Sequence, residues 1–235
     1  MLTLRKAEER GVTRLGWLDS RHSFSFGRYY DPAAMGFGPL RVINDDRVAP
    51  GGGFGTHGHN DMEIITLVLD GALEHRDSLG TGSVIGPGEV QRMSAGSGIL
   101  HSEFNASAVK PVHFLQIWIE PNETGGAPGY AQQTIEPDAA RGKLVKVVSP
   151  TGENGTIAIR QDASLSLGRL AQGDEVTHPI APGRAAYVHV ASGEVRLDDV
   201  ALQAGDGARI LDQAAIKLTG IDHAQVLVFD LDPKG

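Results

Sequence analysis

Apolar positions along this 235-residue chain come in short bursts of β-branched and aromatic residues, broken by glycine, proline and small polar residues. Residues 63–69 (Glu-Ile-Ile-Thr-Leu-Val-Leu), 112–119 (Val-His-Phe-Leu-Gln-Ile-Trp-Ile) and 224–229 (Ala-Gln-Val-Leu-Val-Phe) are of strand length and rich in strand-forming side chains. Helical periodicity is nearly absent, and the best helix candidate is a short one around residues 136–141. With 31 glycines and 12 prolines, the pattern predicts an all-β chain of many strands joined by turns.

Two pairs of side chains stand out against that background. His57 and His59 are separated by one residue, and about forty residues later His101 and Glu103 repeat the spacing. In an extended strand, residues i and i+2 point to the same face. Each pair therefore presents two metal-competent groups side by side, and a hairpin or barrel could turn the pairs toward each other. Three imidazoles and a carboxylate suit a first-row divalent ion and leave positions free on an octahedral metal. One His-x-His pair alone is equally well explained by two exposed histidines on a strand; the second pair is what points to a metal site.

The remaining candidates read more plainly. His75, His113, His189 and His223 stand alone in or beside apparent strands and are expected to be surface or hydrogen-bonded histidines. His22 is assigned to packing or turn structure. The Gly51–Gly55 run lacks the Gly-Lys-Ser/Thr and following helix of a phosphate loop, so it reads as a flexible approach to the strand bearing His57. Asp174-Glu175 and Asp198-Asp199 read as solvated turns, and strand alternation leaves Arg92 facing either into or out of a barrel.

The chain also repeats itself. Residues 121–142 have the composition of a connection. On either side, residues 63–71 followed by 86–93 match 185–193 followed by 205–210: strand, tight turn, strand, then a glycine-led strand. The expected division is a metal-binding domain over residues 1–125, a linker over 126–142 and a second domain over 143–235. Setting Gly71 against Gly193 without gaps places His57 opposite Pro179, His59 opposite Ala181 and Glu63 opposite Ala185. Setting Gly88 against Gly205 places His101 opposite Leu218 and Glu103 opposite Gly220. His178 lies one position from a ligand slot without a partner. The second copy is expected to be the same fold with no metal.

The first half resembles a cupin. Gly51, His57, His59, Glu63 and Gly71 form one motif, and Gly88, Ser94, Gly96, His101 and Asn105 form the other. Ser94 stands where cupins usually carry proline, and the spacings before Gly71 and His101 are longer than the common pattern. These departures, with Arg-His-Ser-Phe-Ser-Phe at 21–26, Gly-Phe-Gly-Pro-Leu-Arg-Val-Ile-Asn at 36–44 and His101-Ser-Glu103, are similar to the pirin family of bicupins. The similarity is dense from about Arg21 to Asn105 and looks closest to short bacterial pirin-like proteins associated with quercetin 2,3-dioxygenase activity.

That resemblance implies two antiparallel double-stranded β-helix (jelly-roll) barrels packed face to face. It implies His57, His59, His101 and Glu103 as metal ligands. In generic cupins Glu63 would be the fourth ligand, and geometry alone permits either; the resemblance assigns the place to Glu103 and leaves Glu63 beside a ligand imidazole, hydrogen-bonded to it. The implied cofactor is one divalent transition metal ion. Fe(II) is the family expectation, and zinc, nickel, manganese, cobalt or copper are alternatives in purified protein. The implied reaction opens a flavonol such as quercetin with dioxygen and releases carbon monoxide, with Glu103 as general base. Two alternatives stand beside it: a metal-bearing regulatory protein that binds a partner, and another metal-assisted reaction on an oxyanionic substrate.

Composition narrows the partners. A net charge of −8 gives no electrostatic reason to expect nucleic acid or an anionic membrane. The absence of cysteine excludes disulfides, thiolate nucleophiles and cysteine-ligated zinc. The first ten residues lack the apolar core of a signal peptide, and no stretch reaches 18 apolar residues. The expectation is a cytoplasmic monomer whose partners are a flavonol-like aromatic substrate and dioxygen.

Overall fold

The computed structural model describes residues 1–136 and 138–234. Strands dominate it as the apolar bursts predict: among the described residues helix is confined to single 3-10 turns at Ala7–Glu9 and Glu153–Gly155. The run at 112–119 is the strand Val112–Ile119, and the other two runs lie inside Gly53–Asp70 and Ala224–Leu231. The short helix expected around residues 136–141 is a tight turn instead. Ala139 donates its N–H to Glu136 at 2.9 Å and Arg141 to Asp138 at 3.3 Å, with Pro137 outside the described residues. Glycine at 142 and a proline inside the segment leave too few residues to amortise helix nucleation.

The chain forms two compact units, Gly11–Gly36 with Leu40–Thr134, and Met1–Arg10 with Phe37–Pro39 and Ile135–Gly235. The unit that includes the C-terminal half has a seven-stranded and a four-stranded sheet. Its apolar cluster includes Val188, Val190, Val195, Leu197, Ile216 and Leu218. Leu218, the counterpart of His101, is buried there at 1% exposure. The strand Leu2–Arg5 pairs antiparallel with Gly207–Ile210 in this unit, although it precedes the first unit in sequence. A buried carboxylate holds it: Asp206 accepts from Lys6 Nζ and the Ala7 N–H at 2.8 Å and from the Gln203 N–H at 3.1 Å.

The other unit is a nine-stranded sheet built around two long strands, Gly53–Asp70 and Glu89–Asn105. The lower part of the first, residues 63–70, pairs with Val112–Ile119, while Leu73–Asp77 pairs with residues 101–105 of the second. Gly129–Thr134, from the segment read as a connection, adds to residues 89–94 as an edge strand. The long strand offers Gly129–Thr134 an open edge to pair with. Hydrogen bonding ends at Gly11–Arg14 on one side and Gly82–Ile85 on the other, so the sheet is open and does not close into the barrel expected.

Both long strands turn a corner at one place. Register shifts between His59 and Asp61, and Asp61 (φ +64°) faces Gly96 (φ +49°). A bulge bends a strand and increases its twist. The corner is tied to a neighbouring loop: the Gly125 N–H donates to Asp61 Oδ1 at 2.6 Å, and the Ser97 N–H donates to the Gly126 carbonyl at 2.6 Å. Above the corner, His57 lies opposite His101 in the ladder; below it, Glu63 lies opposite Ser94.

Gly96 is where this arrangement can be broken. A Cβ there would collide with the Gly126 carbonyl oxygen, in a backbone conformation that disfavours side chains. Gly96→Ala is expected to cost about 2–4 kcal/mol, read as a shift in urea midpoint at constant slope. A loss below about 0.5 kcal/mol would mean that the corner is not under this constraint.

Candidate metal centre

The ladder between the two long strands brings the sequence pairs together. His57 lies directly opposite His101, and His59 follows on the same face two residues later. The ring centroids of His57, His59 and His101 form a triangle of 4.8, 4.4 and 4.9 Å. Their ligand atoms all lie within 4.8 Å of one another. His101 is buried, while His57 and His59 are partly exposed, so the cluster opens toward solvent on one side. Trp118 presses edge-on against His59 at 4.8 Å and limits its rotation.

The ring nitrogens are set as ligands. His57 Nδ1 lies 2.8 Å from the Gly55 carbonyl, which can only accept, so the proton sits on Nδ1 and Nε2 presents a lone pair. That Nε2 faces His101 Nε2 at 3.1 Å. Two nitrogens bound at about 2.1 Å to one ion would be about 3.0 Å apart at a right angle and about 3.4 Å apart in a tetrahedron. The observed 3.1 Å is a hydrogen-bond distance, and it leaves both nitrogens close enough to share one ion. His101 Nδ1 is buried without a hydrogen-bond partner.

Glu103 is placed differently from the three imidazoles. It is buried, accepts a hydrogen bond from Gln116 Nε2 at 2.8 Å, and groups with His101 and His75 within 4.8 Å. The structure thus gathers His57, His59 and His101 in one cluster and joins Glu103 to it through the shared His101. Glu63 is fully buried below the corner, where Ser94 Oγ donates to it at 2.7 Å and Arg92 Nε lies 3.9 Å away. Arg92 therefore turns toward a buried carboxylate.

Burial sets the protonation of the cluster. It pushes the Glu103 carboxyl up to about 7 against the lowering effect of the Gln116 hydrogen bond. It lowers His59 to about 4, with the charge of His57 adding, and His101 to about 2, with His57, His59 and His75 adding. Asp46, also buried, is raised to about 7 by desolvation despite the Ser20 hydrogen bond, with Glu103 and Asp45 contributing repulsion. Neutral imidazoles beside carboxyls that resist ionisation describe a desolvated place that disfavours unpaired charge of either sign. The donor set, the facing nitrogens and the orphaned His101 Nδ1 all fit a divalent ion.

His75 and Asp46 were not singled out by sequence reasoning as part of this centre. His75 is fully buried and hydrogen-bonded to Asp77, which agrees with a hydrogen-bonded histidine but not with a surface one. A third spaced pair, His75-x-Asp77, was the available signal. No comparable signal marks Asp46, which sits in Leu40–Val48 between Asp45 and Arg47.

Known proteins share this arrangement of sequence. The family profile described as Pirin matches residues 4–119, and that described as Quercetinase C-terminal cupin domain matches residues 146–231. An Escherichia coli K12 protein named quercetin 2,3-dioxygenase is 46% identical over 233 residues, covering 99% of this chain and all of its own length. A pirin-like protein of Caulobacter vibrioides is 40% identical, covering 98% of this chain and 99% of its own. The crystal structure of the bacterial pirin YhhW from Escherichia coli in complex with nickel(II) is 45% identical, covers 99% of this chain and 100% of that one, and matches with a TM-score of 0.94.

The protonation pattern makes cation affinity depend on pH in a stated direction. An incoming divalent ion needs Glu103 ionised, a form that prevails above about pH 7, whereas the His59 and His101 rings are already neutral there. Nickel(II) affinity measured by calorimetry is expected to fall about tenfold per pH unit between 7 and 5 through this one proton. In Glu103→Gln the slope should flatten; an unchanged slope would assign the proton to another group.

Proposed function

The chain belongs to the pirin family of bicupins, and we propose that it is a metal-dependent dioxygenase that opens flavonols such as quercetin with release of carbon monoxide. The observation that carries this reading is the open-sided cluster of three converging imidazoles, His57, His59 and His101, with the buried Glu103 carboxyl joined to it through His101. The 46% identical quercetin 2,3-dioxygenase of Escherichia coli supports the substrate class. In this reading His57, His59, His101 and Glu103 hold one ion, Fe(II) in the working enzyme, and Glu63 steadies the ligand set from below the corner. When bound, the ion supplies Lewis acidity and a template for a substrate oxygen and dioxygen.

The chain's own residues do the rest. A cavity of about 430 Å³ lies against His59, lined also by Asn60, Ser78, Ile99 and Leu100. That volume is within the range of small-molecule sites. Ile99, opposite His59 in the ladder, offers apolar cover to an aromatic ring on the face that carries the histidines. Glu103, once ionised, accepts the 3-hydroxyl proton. Gln116 donates to one Glu103 oxygen and leaves the other for that transfer. Trp118 packs edge-on against His59 and Ile99 is buried, so that side of the cluster is apolar.

Removing His57 and His101 together should abolish metal retention, because their facing nitrogens define the centre; full stoichiometry by elemental analysis of His57→Ala/His101→Ala would place the ion elsewhere. Glu103→Gln keeps the side chain's size and removes its charge. Flavonol turnover at saturating iron is expected to fall by about 10²–10⁴, with partial recovery at alkaline pH as solvent supplies the flavonol anion. Turnover equal to the parent protein at neutral pH would eliminate the base role. Absence of oxygen uptake and carbon monoxide release by iron-loaded protein, across flavonols and catechols, would instead favour a regulatory metal protein.

A further inference from the structure

A second set of donors stands beside the first. Leu73–Asp77 runs along the outer part of Glu89–Asn105, with His75 opposite Glu103 and Asp77 opposite His101. The side chains of His75 and Asp77 are both fully buried and lie 3.1 Å apart. Asp77 is fixed in place: its Oδ1 accepts the backbone N–H groups of Leu79 at 2.9 Å and Thr81 at 3.0 Å, and its Oδ2 meets His75 Nε2. An acceptor carboxylate leaves the shared proton on Nε2, so His75 Nδ1 is a bare lone pair. That atom is buried without a hydrogen-bond partner, as is Nδ1 of His101. Tyr130 covers the His75 ring at 5.0 Å and limits its turning away.

What meets an imidazole lone pair in a dry pocket is a proton donor or a cation. The other groups in reach are His101 and Glu103, whose ligand atoms and that of His75 lie within 4.8 Å of one another. A carboxylate orienting an imidazole by its far nitrogen is the arrangement that prepares a histidine for metal. We propose that His75, His101 and Glu103 form an inner seat for a divalent transition-metal ion, sharing His101 with the His57, His59 and His101 cluster. One ion occupies the centre at a time. In the outer seat two of its three imidazoles are partly exposed and a substrate can reach it; in the inner seat all three donors are buried and it is screened. The inner seat rests on the metal reading of this centre but not on flavonol chemistry.

Cobalt(II) alone is the probe, on the full-length protein. His57→Ala/His59→Ala is expected to retain about one equivalent of cobalt, with visible absorption bands displaced from those of the parent protein. Adding His75→Gln should weaken that binding by at least about tenfold. Anomalous diffraction from crystals of the unaltered protein grown with limiting cobalt should show a peak within bonding distance of His75 Nδ1 and a Glu103 oxygen, a result that needs no variant to fold. A double variant with unchanged circular dichroism that binds no cobalt overturns the inner seat. So does a triple variant that binds as well as the double, or a cobalt peak bonded to His57, His59 and His101, with or without Glu103, and none beside His75. Flavonol turnover enters none of these readouts, so its failure would fall on the dioxygenase reading alone.

Discussion

Everything in the unit that carries the histidine cluster depends on the register between Gly53–Asp70 and Glu89–Asn105. Side chains alternate along a strand, so slipping that pairing by one residue would carry one strand's ligands to the opposite face of the sheet. The corner at Asp61 and Gly96 pins the register, because a bulge and two left-handed residues held by a loop fit in only one alignment. The same corner separates two environments on one pair of strands. Above it His57 and His101 face each other; below it Glu63 is enclosed with Ser94 and Arg92.

The electrostatics of the centre run against the stability of the fold. Glu103 and Asp46 are both raised to about 7 by burial. A raised carboxyl contributes its full share to folding below its unfolded range and loses it as pH rises through about 7. The neutral imidazoles have the opposite sign: His59 and His101 are depressed, so acidification below their ordinary range near 6.5 works against the fold. Without a cation the centre is therefore strained toward both ends of the pH scale. A divalent ion relieves the alkaline side, since it favours the ionised carboxylate, and it occupies the nitrogens that acid would protonate. Sites built for function commonly sit at such a cost.

The two units show one pattern of strands serving two ends. In one, inward positions carry histidine and carboxylate; in the other, Ala185 and Leu218 take the equivalent places and are buried, Leu218 within a continuous apolar cluster. An apolar interior needs no cation to be stable, which frees that unit to fold on burial alone. Its N-terminal strand comes from the other end of the chain and is secured by Asp206.

Local chemistry made much of this protein legible in its sequence. Short β-branched bursts between glycines specify strands, and the i, i+2 spacing of His57 with His59 and of His101 with Glu103 specifies a shared face, because side-chain alternation is a property of the backbone itself. The density of the pirin motifs extends that to family and fold. What depends on partners distant in sequence was not legible. Composition alone could not tell that Leu2–Arg5 pairs with Gly207–Ile210, that the sheets stay open, or that Gly129–Thr134 is a strand rather than part of a connection. Nor could it bring His75 and Asp46 to Glu103. Their roles come from burial, and burial is created only when strands far apart along the chain are laid side by side and water is excluded between them.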